Sequence, residues 1–126
     1  MPSISVTYSP NLEGEFDPQK LADALAECAV ELGVFPTWGI RVFVNMAEAS
    51  SVADGDQELG YVQVAVRIAP GRSAELQAEI TEHLFATLEA ELSVITSRKI
   101  GFAVDLEEFQ RNTYRSGGSL PGSPTA

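Results

Sequence analysis

The feature that most constrains the fold is a strand–helix–strand pattern that occurs twice along the chain. In residues 3–9, apolar and polar residues alternate, as they do in a strand with one buried face. Apolar residues at helical spacing follow, and then a second alternating stretch. The same succession of strand, helix and strand occurs again later in the chain, in a repeat that aligns Val62 with Pro2. The sequence therefore predicts two βαβ halves, at about residues 2–46 and 61–106.

The helices are delimited by residues that favour helix ends. Asp17 followed by Pro18 is typical of a helix start, and Gly33 is typical of a helix end. Ser73 is the predicted N-cap of the second helix. The residues on the predicted apolar stripes, which include the cysteine, are Leu21, Leu25, Cys28 and Leu32 in the first helix and Leu76, Ile80, Leu84 and Leu88 in the second.

The predicted fold is α+β, a two-layer arrangement in which a four-stranded mixed sheet carries both helices on one face. Right-handed crossovers make the two strands of each half parallel. A pseudo-twofold axis between the halves would make their first strands antiparallel. The other face of the sheet lacks a cover, so we expect it to be buried against other subunits; it carries Arg41, Phe43, Asn45, Tyr61, Gln63, Ala65 and Arg67.

Length and composition indicate a single domain over residues 1–109 of the 126-residue chain. Residues 110–126 are rich in Gly, Ser and Pro, and we expect a disordered tail there. A net charge of −10 argues against nucleic acid or an anionic membrane as a partner. The single cysteine cannot form an internal disulfide, and no apolar run is long enough to span a membrane, so we expect a cytoplasmic protein.

Three residues that can carry chemistry converge in this topology. The first two strands start at the same end of the sheet, which brings Pro2 close to Arg41, and the third strand finishes there, just before Arg72. Arg72 also precedes the second helix, whose N-terminal end favours anions. Guanidinium groups bind carboxylates with two parallel hydrogen bonds. The predicted site therefore suits a small carboxylated ligand.

Pro2 has two possible roles. It can simply be a rigid strand start, because proline is tolerated at the first residue of a strand. If Met1 is removed, its nitrogen becomes a secondary amine, and both burial and nearby arginines would lower the pKa of that amine. A neutral amine beside a bound carboxylate can act as a general base and then return the proton, a tautomerisation that needs no metal or cofactor.

The segments MPSISV, GVFPTWGIR, VADG and APGRS, in this order and at these spacings, resemble the 5-carboxymethyl-2-hydroxymuconate isomerase family of the tautomerase superfamily, which includes 4-oxalocrotonate tautomerase. The resemblance covers residues 2 to about 109. It implies a homotrimer, Pro2 as catalytic base, and Arg41 and Arg72 as ligands of the substrate carboxylates. It also implies conversion of a 2-hydroxymuconate-type dienol to its conjugated 2-oxo isomer, in the homoprotocatechuate branch of aromatic compound catabolism.

Two departures from the family pattern concern assembly and the pocket. The carboxyl-terminal segment, which helps to hold the trimer together in the family, is here the Gly, Ser and Pro rich tail. Residues 47–51, which could line the pocket, also differ from the family.

Other functions remain open at this point. The same amine could catalyse hydration, dehalogenation or decarboxylation of small keto or acrylic acids, or the chain could be a non-catalytic trimeric binding module. No metal site is predicted, because one histidine and one cysteine offer too few ligands. His83 is interpreted as part of a solvated helix flank. Phe35 and Trp38 are either packing residues or an apolar wall beside the amine.

Overall fold

A computed structural model describes residues 2–124. The sheet comprises four strands, which are β1 (Ser3–Tyr8), β2 (Arg41–Met46), β3 (Gly60–Ile68) and β4 (Ile100–Glu108). The two helices are α1 (Pro18–Glu31) and α2 (Ala74–Leu92). Single turns of 3-10 helix occur at Pro10–Leu12, Thr37–Gly39 and Arg111–Thr113. Within residues 2–124, no helix is both long and apolar enough to cross a membrane.

The strand order confirms the predicted fold class. The order is β2-β1-β3-β4, with β1 parallel to β2, β3 parallel to β4, and β1 antiparallel to β3. The middle of the central pair joins Ser5 to Ala65. Each half is thus a βαβ unit, and the two halves are related by a pseudo-twofold axis through this pair.

One face of the sheet forms the core. Alternate residues of β1 and β3 point under the helices and are buried, while their neighbours on the other face are accessible. Each fully buried Val, Leu or Ile contributes roughly 1.5–3 kcal/mol to folding through the apolar surface it removes from water. The fully buried side chains that join the sheet to the helices include Ile4, Val6, Val62, Val64, Ile68, Leu21, Leu25, Ile80, Leu84, Leu88 and Leu92.

Both predicted helix caps are confirmed. The Asp17 carboxylate accepts hydrogen bonds from the backbone N–H groups of Gln19 and Lys20, at 3.0 and 3.2 Å. The Ser73 hydroxyl accepts from the N–H of Leu76 at 3.1 Å. Each cap satisfies donors that have no partner within the first turn of the helix, so the starts of both helices are fixed.

Neither helix of residues 2–124 packs on the other face of the sheet. Phe43 is 60% exposed and Tyr61 is 36% exposed on this open face. Arg67 and Glu107 form an exposed ion pair on it, at 3.8 Å. Burial of this face against other subunits stays a prediction.

The two ends of the sheet are built differently. At the end where β3 and β4 begin, which we call the Gly60 end, the Asn11 side chain donates hydrogen bonds to the carbonyls of Gln57 and Leu59, at 2.9 and 2.7 Å. A methyl group added to Gly60 would lie 2.6 Å from the buried Leu12 side chain. These contacts between loops close the Gly60 end. The opposite end, where β1 and β2 begin, is called the Pro2 end.

An arginine reinforces the Gly60 end. Arg98 forms salt bridges with Glu15 at 3.5 Å and with Glu58 at 3.8 Å, and its side chain is only 17% exposed. The two glutamates lie on different loops, one before α1 and one before β3. Arg98 therefore links three chain segments at this end.

The carboxyl-terminal segment makes contacts that its composition did not suggest. The Tyr114 ring stacks on Phe109, with ring centroids 3.9 Å apart, and Ser123 is buried. The small number of apolar residues in this segment predicts no packing, but Tyr114 attaches its first part to the domain. The domain limits and disorder of the tail in solution stay predictions, and residues 125–126 lie outside the described part.

Candidate active site

Pro2 lies immediately before the central strand β1 and is buried. Its carbonyl accepts a hydrogen bond from the backbone N–H of Arg41 at 3.3 Å. This bond continues the parallel pairing of β1 with β2 by one residue, so Pro2 has a fixed place in the sheet. Met1 lies outside the described residues, and its removal stays a prediction.

Arg41 is the first residue of β2 and pairs with Ser3. Its Nη1 donates to the carbonyl of Gly39 at 2.9 Å, and its Nη2 donates to the Tyr114 hydroxyl at 3.1 Å. A guanidinium group has five N–H donors, so these two bonds orient the group and leave other donors for a ligand. The half-buried position strengthens any such bond relative to one in open water.

Arg72 lies in the short connection between β3 and α2. Its Nη2 donates to the carbonyl of Val34 at 2.8 Å, and its Nη1 to the carbonyl of Ala69 at 3.3 Å. The guanidinium carbon also lies 4.8 Å from the centre of the Phe35 ring. Phe35, whose role the sequence left open, therefore supports an arginine through a cation–π contact.

The sheet register brings the backbones of the three predicted site residues to the same end. Ser3 pairs with Arg41 on one side and with Arg67 on the other. The chain leaves β3 at Ile68, one residue further on, and reaches Arg72 after a short turn. Pro2, Arg41 and the connection that carries Arg72 thus lie at the same end of the sheet, and their roles in a reaction stay proposals.

The site holds positive charge that the described residues do not neutralise. Among residues 2–124, neither Arg41 nor Arg72 forms a salt bridge. Their hydrogen-bond partners are three backbone carbonyls and a hydroxyl, all uncharged. Each of these oriented guanidinium groups can therefore bind a carboxylate of a ligand.

Sequence reasoning missed the contacts made by the last residue of β4 and by the residues just after it. The Glu108 carboxylate accepts a hydrogen bond from the N–H of Gly71 at 3.0 Å, and Arg111 donates to the carbonyl of Pro70 at 3.0 Å. Together with Tyr114, they attach the carboxyl-terminal segment to the loop that carries Arg72 and to Arg41 at the start of β2. The one sequence signal for this contact is an aromatic residue in an otherwise polar tail.

Two clefts lie away from this site. They have volumes of about 340 and 420 Å³ and share the loop residues Ser50, Ser51 and Val52 between β2 and β3. Their linings contain no basic residue, so they cannot neutralise an anionic ligand. We therefore place the candidate active site at the Pro2 end, where Arg41 and Arg72 lie, and not in these two clefts.

The remaining candidate ligands of metal ions are not clustered. His83 is exposed on α2, with its Nε2 3.9 Å from a Glu79 carboxylate oxygen, which agrees with a solvated helix flank. In the described part of the chain, no group of three or more His, Cys, Asp or Glu residues could hold a metal ion.

Comparison with known proteins identifies the family. The family model of 5-carboxymethyl-2-hydroxymuconate isomerase matches residues 2–118. The chain belongs to this family. It is an isomerase, as the resemblance predicted, and the match extends beyond residue 109 to include Tyr114.

Individual relatives agree with this assignment. The 5-carboxymethyl-2-hydroxymuconate Delta-isomerase of Escherichia coli is 28% identical over 109 residues, which is 86% of each chain. A crystal structure of a 5-carboxymethyl-2-hydroxymuconate delta-isomerase superimposes with a TM-score of 0.84 at 25% identity, over 92% of this chain and 87% of that one.

More distant structures show the fold alone. A 5-carboxymethyl-2-hydroxymuconate isomerase from Deinococcus radiodurans R1 has a TM-score of 0.84 at 23% identity, covering 91% of this chain and 87% of its own. A fused 4-OT, described as a symmetric trimer, has a TM-score of 0.69 at 19% identity, covering 98% and 94%. The tautomerase fold of this chain is therefore confirmed.

Proposed function

We propose that this isomerase moves a double bond in a carboxylated dienol of the 2-hydroxymuconate type, with Pro2 as general base and acid. The observation that carries this proposal is the convergence of Pro2 with two arginines, Arg41 and Arg72, that have no carboxylate partner among the described residues. Family membership supplies the reaction class, and the charge of the site favours a substrate with at least two carboxylates.

The reaction needs one proton to move between two atoms of the substrate. The Pro2 nitrogen takes the proton of the 2-hydroxyl group, and the electron pair of the O–H bond forms the 2-oxo group. The double bonds shift along the chain, and the protonated nitrogen returns the proton to the distal carbon of the dienol. Nothing is oxidised overall, so no cofactor or metal enters the balance.

The two arginines hold the substrate across the base. Arg41 is adjacent to Pro2 in the sheet and would bind the carboxylate next to the 2-hydroxyl group. Arg72, supported by Phe35, would bind a more distant carboxylate. Both cations also favour the neutral form of the Pro2 amine, because a nearby positive charge lowers the pKa of an amine.

The proposal includes assembly as a homotrimer through the open face. Phe43 and Tyr61 on this face leave apolar surface in water that a neighbouring subunit would cover. The fused 4-OT neighbour is described as a symmetric trimer, which supports a trimeric state for this chain. The proposed setting is cytoplasmic catabolism of aromatic compounds, where homoprotocatechuate breakdown produces such dienols.

The decisive test combines the mass of the mature chain with its turnover. We expect purified protein to lack Met1 by intact mass and to convert the dienol to its conjugated 2-oxo isomer, followed by ultraviolet absorbance. A chain that retains Met1 and still turns over at the full rate would overturn the role of Pro2. A parallel panel of haloacrylates and keto acids separates this activity from dehalogenation, hydration and decarboxylation.

A further inference from the structure

Tyr114 contacts the proposed active site, although it lies outside the strands and helices. Its hydroxyl oxygen accepts a hydrogen bond from Arg41 Nη2 at 3.1 Å, across 73 residues of sequence. The hydroxyl is part-buried, and the guanidinium it contacts belongs to the strand beside Pro2. A tyrosine at this place can act on any ligand that Arg41 binds.

The Tyr114 ring is held in place by Phe109. It stacks on Phe109 with an angle of 16° between the rings, and Phe109 is 8% exposed. The backbone N–H of Phe109 donates to the carbonyl of Ile68 at 3.0 Å, which fixes it to the end of β3. A continuous set of contacts therefore runs from the end of β3 through two stacked rings to Arg41.

The residues on either side of Phe109 also contact the loop that carries Arg72. Glu108 accepts from the N–H of Gly71, and Arg111 donates to the carbonyl of Pro70, each at 3.0 Å. The same short segment thus contacts Arg41 itself and the two residues that precede Arg72. These contacts with the Arg72 loop fix the backbone of the segment and so help to place Tyr114.

The Tyr114 hydroxyl can make a second hydrogen bond besides the one from Arg41. A phenol oxygen can accept from one partner while its own proton is donated to another. Arg41 uses the acceptor, so the O–H proton is directed away from the guanidinium. A carboxylate bound to the remaining donors of Arg41 would lie within reach of that proton.

We propose that Tyr114 is a substrate-binding residue, whose hydroxyl orients the Arg41 guanidinium and donates its proton to the carboxylate that Arg41 binds. This inference rests on the proposed function, since it assumes a carboxylated substrate at Arg41. It adds a phenol hydroxyl to the Pro2 amine and the two guanidinium groups as hydrogen-bond donors of the site. It also explains why an aromatic residue occurs in a polar segment.

The test is Tyr114→Phe, which removes the hydroxyl and keeps the stacked ring. We expect KM for the dienol to rise about tenfold with kcat within about twofold, because the one hydrogen bond from Tyr114 to the substrate carboxylate is lost. Binding of adipate, an unreactive dicarboxylate, measured by calorimetry, should weaken by the same factor. Tyr61→Phe, at the far end of the sheet, is the matched control and should change neither quantity.

A double substitution shows whether Tyr114 acts with Arg41. In an Arg41→Ala background, adding Tyr114→Phe should change adipate affinity less than about twofold, because the shared carboxylate site is already lost. A full additional loss of about tenfold would overturn the pairing of the two side chains. So would a single Tyr114→Phe variant with unchanged KM and unchanged adipate affinity.

The outcomes separate this inference from the proposed function. Normal dienol turnover by the wild-type protein, together with an inert Tyr114→Phe substitution, overturns the inference alone. Absence of both turnover and adipate binding in the wild-type protein overturns the proposed function and the inference with it.

Discussion

The two ends of the sheet are related by the duplication, yet they carry different residues. The repeat aligns Pro2 with Val62, and therefore Ser3 with Gln63. Ser3 pairs with Arg41, whereas Gln63 pairs with Ala103. Ala103 is thus the equivalent of Arg41 in the second half. The Gly60 end thus has valine and alanine where the Pro2 end has an imino acid and a cation. Duplicating the βαβ unit doubled the scaffold without doubling the candidate site.

The difference follows from what each end must do. A residue inside β3 has its nitrogen in a peptide bond, so Val62 cannot serve as a base. The Gly60 end is instead closed by Leu12 and by the salt bridges of Arg98. Under the proposed mechanism the reaction depends on a free amino terminus at Pro2, whereas the equivalent place in the second half is used for packing.

The strongest test of the comparison replaces the equivalent residues at the two ends. Pro2→Ala should lower turnover by roughly 10²–10⁴-fold, the range typical of a lost general base. Val62→Ala should leave turnover per folded molecule unchanged and lower the free energy of unfolding by about 1–3 kcal/mol, because it opens space in the core. Steady-state kinetics and denaturant unfolding of both variants measure these effects.

The second test concerns charge. Arg41→Ala and Arg72→Ala should each lower kcat/KM roughly 10²-fold, because two hydrogen bonds to a carboxylate are lost at about 1.5 kcal/mol each. Lys99→Ala, which removes an exposed cation at the Gly60 end, is the control and should leave kcat/KM within about twofold. An equal loss in all three variants would indicate a general electrostatic effect rather than a site.

Packing at the Gly60 end provides the third test. Gly60→Ala places a methyl group against the buried Leu12, and we expect the free energy of unfolding to fall by about 1–3 kcal/mol, as in other overpacked cores. Turnover per folded molecule should not change. Reduced turnover at full folding would show that this end takes part in catalysis.

The smallest expected effects separate the two helix starts. Asp17→Ala and Ser73→Ala should each lower the free energy of unfolding by about 1 kcal/mol, because each removes an N-cap. Ser73 adjoins Arg72, so its replacement should also raise KM for the dienol, whereas Asp17→Ala should not. Identical KM values in both variants would mean that the cap does not help to place Arg72.

Local patterns were sufficient to predict the sheet and the helices. Alternation in β1 and β3 is clear because one face of each central strand is buried, and Asp17 and Ser73 act as caps through contacts within a few residues. The edge strand β2 is less regular, since Met46 is 42% exposed although it shares the pattern of Val42 and Val44. An edge strand has fewer neighbours, so its periodicity constrains its burial less.

The sequence predicted only those parts of the candidate site that follow from strand pairing and from the family resemblance. The positions of Pro2 and Arg41 follow from parallel pairing, which the sequence indicates. The contact of Phe35 with Arg72 and that of Tyr114 with Arg41 depend on how distant segments pack, and no local periodicity encodes either one. Side-chain contacts across 37 or more residues therefore had to come from the structure.

The central place of β1 has a consequence for local opening of the molecule. Chain termini usually fray, and their amide hydrogens exchange rapidly with solvent. Ser3–Tyr8 is instead enclosed by β2 and β3, so releasing it requires breaking the pairing on both flanks at once. Deuterium uptake should therefore be slow in this opening stretch, and an N-terminal affinity tag would have to emerge from the middle of the sheet.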